Sequence, residues 1–162
     1  MLDPQTLAVH RLRPDGWDDF RRIRLRALAE APGAFSSTFE EAAQLDEAEW
    51  RRRLGFRAQF VAVSHGEAVG TAGGIDADGR AELISMWVDP SARRSGVGSR
   101  LLGAVAEWAR GEGHVALWLW VVEGNLDAER LYARQGFKRT GKRQAVDPLR
   151  PARAEFEMKL SL

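Results

Sequence analysis

The stretch that decides the fold runs from Trp87 to Leu101 and reads WVDPSARRSGVGSRL. It starts as the end of an apolar strand, is stopped by Asp89-Pro90, and continues beyond Gly96 as an amphipathic helix. A helix N-terminus carries unpaired backbone N–H groups and the positive end of the helix dipole. Glycines there let phosphate oxygens approach the amides, and arginines add charge. The stretch favours a diphosphate site, although a plain strand-to-helix turn explains the same residues.

Two other phosphate-binding motifs fail on the sequence. A dinucleotide fingerprint needs glycine at the position of Leu101. The segment Gly136–Lys142 resembles a P-loop, but Arg143 stands where Ser or Thr is required. That segment also follows a predicted helix, whereas a P-loop follows a strand.

Outward from this stretch, apolar patterning predicts one α/β domain over residues 1–162. Predicted caps are Asp15, Asp46 and Asn125. The order is β-α-α-β-β-β-α-β-α-β-β, with a mixed central sheet flanked by helices. Strands are predicted at 6–13, 59–64, 68–75, 81–88, 115–121, 136–142 and 154–160, and helices at about 16–31, 46–54, 97–110 and 125–134. Loops are predicted at Pro32–Thr38 and at about 143–153.

Composition excludes several classes of protein. The net charge of +1 gives no reason to expect nucleic acid or an anionic membrane as a partner. The absence of cysteine excludes disulfides and covalent thiol catalysis, and no metal is expected because the histidines lack ligand spacing. The longest apolar stretch, Val115 to Val122, is too short to cross a bilayer, and residues 1–14 do not read as a signal peptide. A cytoplasmic protein is expected, and a homodimer is left open.

Two motifs carry a family resemblance. Arg93-x-x-Gly96-x-Gly98 resembles the Q/R-x-x-G-x-G/A signature of the GNAT (Gcn5-related N-acetyltransferase) superfamily. The segment from Asn125 to Phe137 is similar to that family's N-x-x-A-x-x-L-Y-x-x-x-G-F segment. The two occur in the expected order, and the resemblance covers about residues 6–160, most strongly 80–138. It implies a GNAT-like fold and acetyl-CoA as acyl donor.

The resemblance also implies which residues hold acetyl-CoA. Backbone groups of one strand would bind the pantetheine arm, and loop and helix amides would bind the pyrophosphate. Asn125 would add a bond while also capping its helix. The set is Met86, Val88, Arg93, Arg94, Ser95, Gly96, Val97, Gly98, Ser99 and Asn125.

The catalytic roles follow from the same resemblance. Tyr132, the one tyrosine in the chain, occupies the general-acid position, although a packed aromatic is the plainer interpretation. Glu82 matches the base position of the histone-acetyltransferase branch, with an exposed strand-end carboxylate as its alternative. Ribosomal N-terminal acetyltransferases resemble one another in a glutamate where this chain has Trp120, which argues against that subgroup. The N–H of Val88 is the implied oxyanion donor.

The acceptor is expected to be a small-molecule or peptide amine. Phe35 and Trp120 are candidates for an apolar wall of the acceptor site. The alternative is that both are ordinary packing residues. A non-catalytic acyl-CoA-binding sensor is the rival function. The presence of both Tyr132 and Glu82 favours the N-acetyltransferase.

Overall fold

The computed structural model describes residues 5–162 and contains the predicted elements with one addition. The strands are β1 (Leu7–Leu12), β2 (Ala58–Ser64), β3 (Glu67–Ala77), β4 (Arg80–Val88), β5 (Ala116–Val122), β6 (Lys138–Asp147) and β7 (Arg150–Ser161). The helices are α1 (Trp17–Glu30), α2 (Phe39–Ala43), α3 (Glu47–Phe56), α4 (Val97–Gly111) and α5 (Leu126–Arg134). None of the helices in this described range is long and apolar enough to cross a membrane.

The strands form one mixed sheet in the order β1-β2-β3-β4-β5-β7-β6. Every neighbouring pair is antiparallel except β4 and β5, whose parallel pairing requires the crossover helix α4. That parallel pairing covers only Ala81 with Leu117 and Glu82 with Trp118. Beyond Glu82 the strands separate, and β5 continues paired to β7. The centre of the sheet therefore opens between β4 and β5.

Two apolar cores lie on opposite sides of the sheet. On the first side, called the α4 face, Leu101 and Val105 pack against Leu83 and Leu117. On the other side, called the α1 face, α1 and α3 pack over β1–β4. Their core contains Phe20, Ile23, Leu28, Trp50, Leu54 and Val61. Because side chains alternate along a strand, β1–β4 contribute to both cores, whereas β5 and β7 contribute to the core of the α4 face.

A bulge in β4 changes this alternation next to the opening. Gly73 pairs with Ile84 and Thr71 with Trp87, so Ser85 and Met86 together oppose one residue of β3. Ser85 adopts a φ of 55°, which is uncommon for a residue other than glycine. The extra residue turns Trp87 onto the α1 face, whereas Leu83 lies on the α4 face.

Two predictions about the first half of the chain were wrong. Asp15 does not cap α1; it lies in a short 3-10 turn, and Gly16 is the N-cap without a side-chain bond. The helix α2 was missed. Thr38 caps it through a reciprocal capping box, in which Thr38 Oγ1 accepts from the Glu41 N–H at 3.2 Å and Glu41 Oε2 from the Thr38 N–H at 3.1 Å.

The predicted loop at about 143–153 was also wrong. The two last strands extend to Asp147 and from Arg150, leaving Pro148-Leu149 as the tight turn. Gln144 Nε2 donates to Glu155 Oε1 across the strands at 2.8 Å. Most of this hairpin is exposed, so its residues lack the apolar alternation that marks a half-buried strand.

Candidate active site

The loop between β4 and α4 presents a row of backbone amides without acceptors. The N–H groups of residues 94–99 bond to no other group among the described residues, and the first bonded amide is that of Arg100, which reaches the Gly96 carbonyl at 3.1 Å. The N-cap Gly96 supplies no side-chain acceptor. Arg94 and Gly96 have φ values of 62° and 86°, which turn the chain sharply so that successive N–H groups line one concavity.

The two glycines of this loop have different roles. A side chain on Gly96 would meet nothing within 4 Å, so the space beside this residue is open. Glycine is favoured at this position because of its positive φ and not because of crowding. A Cβ on Gly98 would lie 2.8 Å from Leu131 Cδ2 and 3.4 Å from Met86 Cε. Gly98 therefore allows α4 to pack closely against α5 and β4. From the sequence, this glycine was expected only to let phosphate approach the backbone.

Arg93 is held by protein groups. Its Nε donates to the Val88 carbonyl at 3.0 Å, and its Nη2 donates to Glu30 Oε2 at 2.8 Å. Trp87 Nε1 donates to the same carboxylate oxygen at 2.9 Å. The Arg93 side chain thus fixes the loop to the end of β4 and to α1, while Arg94 is exposed and bonds to no described residue. Glu30 was missed, and no pattern in the sequence links it to this loop.

The loop is closed by further short contacts. Ser95 Oγ donates to the Ala92 carbonyl, and Ser99 Oγ accepts from Gln135 Nε2 of α5 at 2.8 Å. Val97, in the first turn of α4, is buried with only 1% of its surface exposed. These contacts fix the shape of the loop and leave its backbone N–H groups available.

Beyond the bulge, the edge of β4 faces the opening. The Asp89 N–H bonds to the Val69 carbonyl of β3 at 2.9 Å. Backbone groups alternate along a strand, so the N–H and C=O of Val88 point away from β3, toward the side where β5 has separated. The side chains of Met86 and Val88 pack on the α4 face. The N–H of Val88 therefore faces the opening, whereas its carbonyl already accepts a hydrogen bond from Arg93.

Tyr132 lies on α5, and Asn125 precedes that helix. Tyr132 is 6% exposed and packs against Phe137, with ring centroids 5.8 Å apart. Burial raises the pKa of Tyr132 above its ordinary value, so its hydroxyl is protonated at neutral pH, the state that a proton donor needs. Asn125 Oδ1 accepts from the Ala128 N–H at 3.3 Å, which confirms it as the N-cap of α5.

Glu82 lies on the α1 face, at the last position where β4 and β5 pair. Burial raises the pKa of its carboxyl, Arg80 opposes this shift, and Glu157 and Glu155 add to it. A carboxylate with a raised pKa is a better proton acceptor near neutrality. Glu82 is half-buried, so it is not the fully exposed strand-end carboxylate of the alternative interpretation.

A second carboxylate on this face was missed. Glu157 is 1% exposed and accepts from Arg80 Nη2 and Thr140 Oγ1, both at 2.7 Å. Burial opposes ionisation of Glu157, but these bonds and the Arg80 charge lower its pKa overall. Glu157 pairs with Trp120 across β5 and β7. Its position in a strand where acidic and apolar residues alternate was the sequence signal that could have identified it.

Trp120 and Phe35 both belong to the α1 face. Phe35 follows a short turn, Pro32–Ala34, that contacts β5 and is held by Arg153 donating to the Gly33 carbonyl. Trp120 is half-buried on β5, on the same face as Glu82. The structure therefore places both predicted acceptor residues on the side of the sheet opposite Tyr132.

The model of the acetyltransferase (GNAT) family matches residues 17–137. The chain belongs to this family. Human N-acetyltransferase 8 is similar to the chain, with 33% identity over 88 residues, which are 51% of this chain and 39% of the human protein. The chain thus matches well under half the length of that curated relative.

Solved GNAT structures share the fold over nearly the whole chain. An acetyltransferase of the GNAT family from Streptococcus pneumoniae superposes with a TM-score of 0.80 at 18% identity, covering 96% of this chain and 99% of the other. The protein yncA from Salmonella typhimurium, solved with its cofactor acetyl-CoA, gives a TM-score of 0.76 at 21% identity, covering 96% and 94%. At these identities the likeness establishes the GNAT fold, with its sheet opened between β4 and β5.

Proposed function

We propose that this GNAT protein transfers an acetyl group from acetyl-CoA to a primary amine by direct attack within a ternary complex. The observation that carries the proposal is the row of six amides at 94–99 beside the open edge of β4. Six N–H donors at a helix N-terminus fit the pyrophosphate of CoA. The backbone of Met86 and Val88 lines the path for the pantetheine arm, and Asn125 adds a contact at the far side.

Two residues would divide the proton transfers. An amine with a pKa of about 10.4 needs roughly 4.6 kcal/mol to be neutral at pH 7, so a base near the attacking nitrogen is useful. Glu82 takes this proton, through a water molecule. Tyr132 protonates the departing thiolate from the other side of the opening. The Val88 N–H stabilises the negative charge that develops on the carbonyl oxygen.

In this proposal the two substrates bind on opposite sides of the sheet. The donor side comprises β4 from Ser85 onward, the loop at 93–96 and the first turn of α4. The acceptor side comprises α1, α3 and the α1 face of β4–β7. The amine approaches from the acceptor side along Phe35 and Trp120, and the opening between β4 and β5 joins the two sides. A small molecule or a peptide satisfies this arrangement.

A panel of amines tests the activity. The purified chain is mixed with acetyl-CoA and with amino acids, polyamines, amino sugars and short peptides, while thiol release is followed and products are checked by mass. Amine-dependent thiol release above the rate without amine is expected for at least one class. Tight CoA binding without turnover on any amine would contradict the proposal and favour an acyl-CoA sensor.

A further inference from the structure

The α1 helix places an arginine in the apolar stripe that faces the sheet. Arg24 is 8% exposed, and its Nη1 is enclosed without a hydrogen-bond acceptor among the described residues. The guanidinium stacks over the ring of Phe35, with Cζ 4.5 Å from the ring centroid. No carboxylate in the described part of the chain pairs with Arg24.

A second enclosed guanidinium lies beside it. Arg57 follows α3 directly, and its Nε is also enclosed without an acceptor within residues 5–162. It stacks against the ring of Phe20, at 5.5 Å. Burial, together with repulsion by Arg53, lowers the pKa of both Arg24 and Arg57 to about 10. Both remain cationic at neutral pH.

The described residues supply too little negative charge to balance Arg24 and Arg57. Glu49 is the acidic group whose charge acts on Arg57. However, its carboxylate already accepts from Arg52 at 2.7 and 2.8 Å and from Arg53 at 3.0 Å. A buried charge without a partner is costly to the fold. The pair Arg24 and Arg57 therefore has the properties of a site for an external anion.

The two arginines lie on the same face of the sheet as the candidate base. Ala58 pairs with Gly74, and Ile75 pairs with Glu82, so Arg57 lies in line with Ile75 and Glu82 across three strands. Two strand spacings place the Cα atoms of Arg57 and Glu82 about 10 Å apart. Phe35, stacked on Arg24, is the predicted wall of the acceptor site.

We propose that the acceptor amine also carries a carboxylate, which Arg24 and Arg57 bind while the amine faces Glu82. This inference rests on the proposed acetyl transfer and adds the substrate class, an amino acid or a closely similar amino carboxylate. Two guanidinium groups at one site form charge-assisted bonds to a carboxylate, and their partial desolvation strengthens those bonds.

Matched pairs of acceptors test the substrate class. Amino acids are compared with their amides, for example glycine with glycinamide and leucine with leucinamide, at saturating acetyl-CoA. The free acids are expected to have kcat/KM values at least roughly tenfold higher, as expected for the loss of a charge-assisted contact. Equal rates for acids and amides would overturn the inference while leaving the acetyltransferase activity intact.

A binding measurement separates this inference from the activity. Thermal unfolding is followed with N-acetylglycine and with N-acetylglycinamide, which resemble products and need no turnover. A rise in Tm with the acid and none with the amide supports the carboxylate site, even if no amine is acetylated. The absence of any difference between the two probes argues against the site.

Variants assign the effect to the arginines. Arg24→Met and Arg57→Met are each expected to raise KM for the amino acid by roughly tenfold to a hundredfold, with KM for acetyl-CoA unchanged. The Tm of Arg24→Met should not fall, because the substitution removes an unpaired buried charge. Arg22→Met, on the exposed side of α1, is the control and should behave as the wild type. A loss of Tm without a change in the acid-to-amide ratio would show a structural role only.

Discussion

The proposed donor side and the proposed acceptor side of the sheet use different groups of the protein. On the donor side, one continuous segment presents backbone N–H groups, and its side chains, such as those of Arg93 and Ser99, mainly fix the shape of the loop. On the acceptor side, separate elements contribute side chains: Arg24 from α1, Arg57 from the end of α3 and Glu82 from β4. A backbone site tolerates many side chains and is suited to a donor common to the whole family, whereas a side-chain site can differ from one member to the next.

The largest expected effect lies where the two sides meet. Tyr132→Phe removes a hydroxyl that bonds to no described residue, so packing against Phe137 should persist. We expect kcat to fall by about one to two orders of magnitude with acetyl-CoA affinity unchanged, because only proton donation to the thiolate is lost. Steady-state kinetics and acetyl-CoA titration measure the two quantities. Unchanged turnover would remove Tyr132 from the mechanism.

A change confined to the loop should affect the donor alone. Gly96→Ala forces an L-residue to a φ of 86°, which costs about 1–2 kcal/mol. If the loop relaxes to avoid this strain, acetyl-CoA must restore the original shape, and its affinity should fall roughly fivefold to thirtyfold. Titration with acetyl-CoA measures the change, and KM for the amine should not move.

The matched control for this variant is Gly103→Ala, in the exposed middle of α4, where a Cβ meets nothing within 4 Å. It should preserve acetyl-CoA affinity and stabilise the helix by about 0.5–1 kcal/mol. Equal losses of affinity in both variants would mean that the loop geometry is not what binds the donor.

Glu82→Gln tests the acceptor side through pH. In the wild type, kcat should rise as Glu82 ionises, with a midpoint above the ordinary value for glutamate because burial raises its pKa. The glutamine variant should lose that limb and about tenfold in kcat at neutral pH. A pH–rate profile that keeps its acidic limb in the variant would assign the base to another group.

The same shift has a consequence for stability. Because the pKa of Glu82 is raised in the folded state, its ionised carboxylate destabilises the fold at pH values above that pKa. This loss of stability disappears at pH values below the pKa of Glu82 in the unfolded state. Glu82→Gln should therefore increase Tm at pH 7 and have little effect at pH 4. Thermal unfolding at the two pH values measures this.

The smallest expected effect concerns the start of α2. Thr38→Ala removes the capping box and should cost about 1 kcal/mol. Because α2 follows the segment that carries Phe35, we expect KM for the amine to rise twofold to threefold, in proportion to local fraying. Thr38→Ser keeps the cap and serves as control. A change in acetyl-CoA affinity instead would contradict the separation of the two sides.

The strand, loop and helix of the proposed donor side were predicted well because they are local in the sequence. The strand end, the loop and the helix start are contiguous between Trp87 and Leu101, and each has its own signal in the sequence. The bulge at Ser85 was not predicted, because the two residues that oppose one in β3 are recognisable only once the strands are paired. Helix α2 was missed because a five-residue helix is too short to show a period, although its Thr38–Glu41 capping box was a readable signal.

The acceptor side was predicted only in part. Phe35, Trp120 and Glu82 were named, but Arg24 and Arg57 were not, because α1 and α3 are rich in arginine and most of these residues are exposed. One signal was available: Arg24 stands four residues after Phe20 and four before Leu28, on the apolar stripe of α1. A charged residue at such a position indicates a buried cation, but its lack of a partner depends on the tertiary structure.

The carboxylate of Glu30 gives the two sides a common attachment point. One oxygen, Oε2, accepts from Trp87 of β4 and from Arg93 of the loop, and Glu30 itself is the last residue of α1. A displacement of α1 toward a bound amine would pull on the residue that begins the pyrophosphate loop. Any such linkage is reciprocal, so an acceptor that tightened the binding of acetyl-CoA would itself bind more tightly, by the same factor, once acetyl-CoA was present. The affinity of each substrate would then depend on the other through a single carboxylate oxygen that accepts two hydrogen bonds.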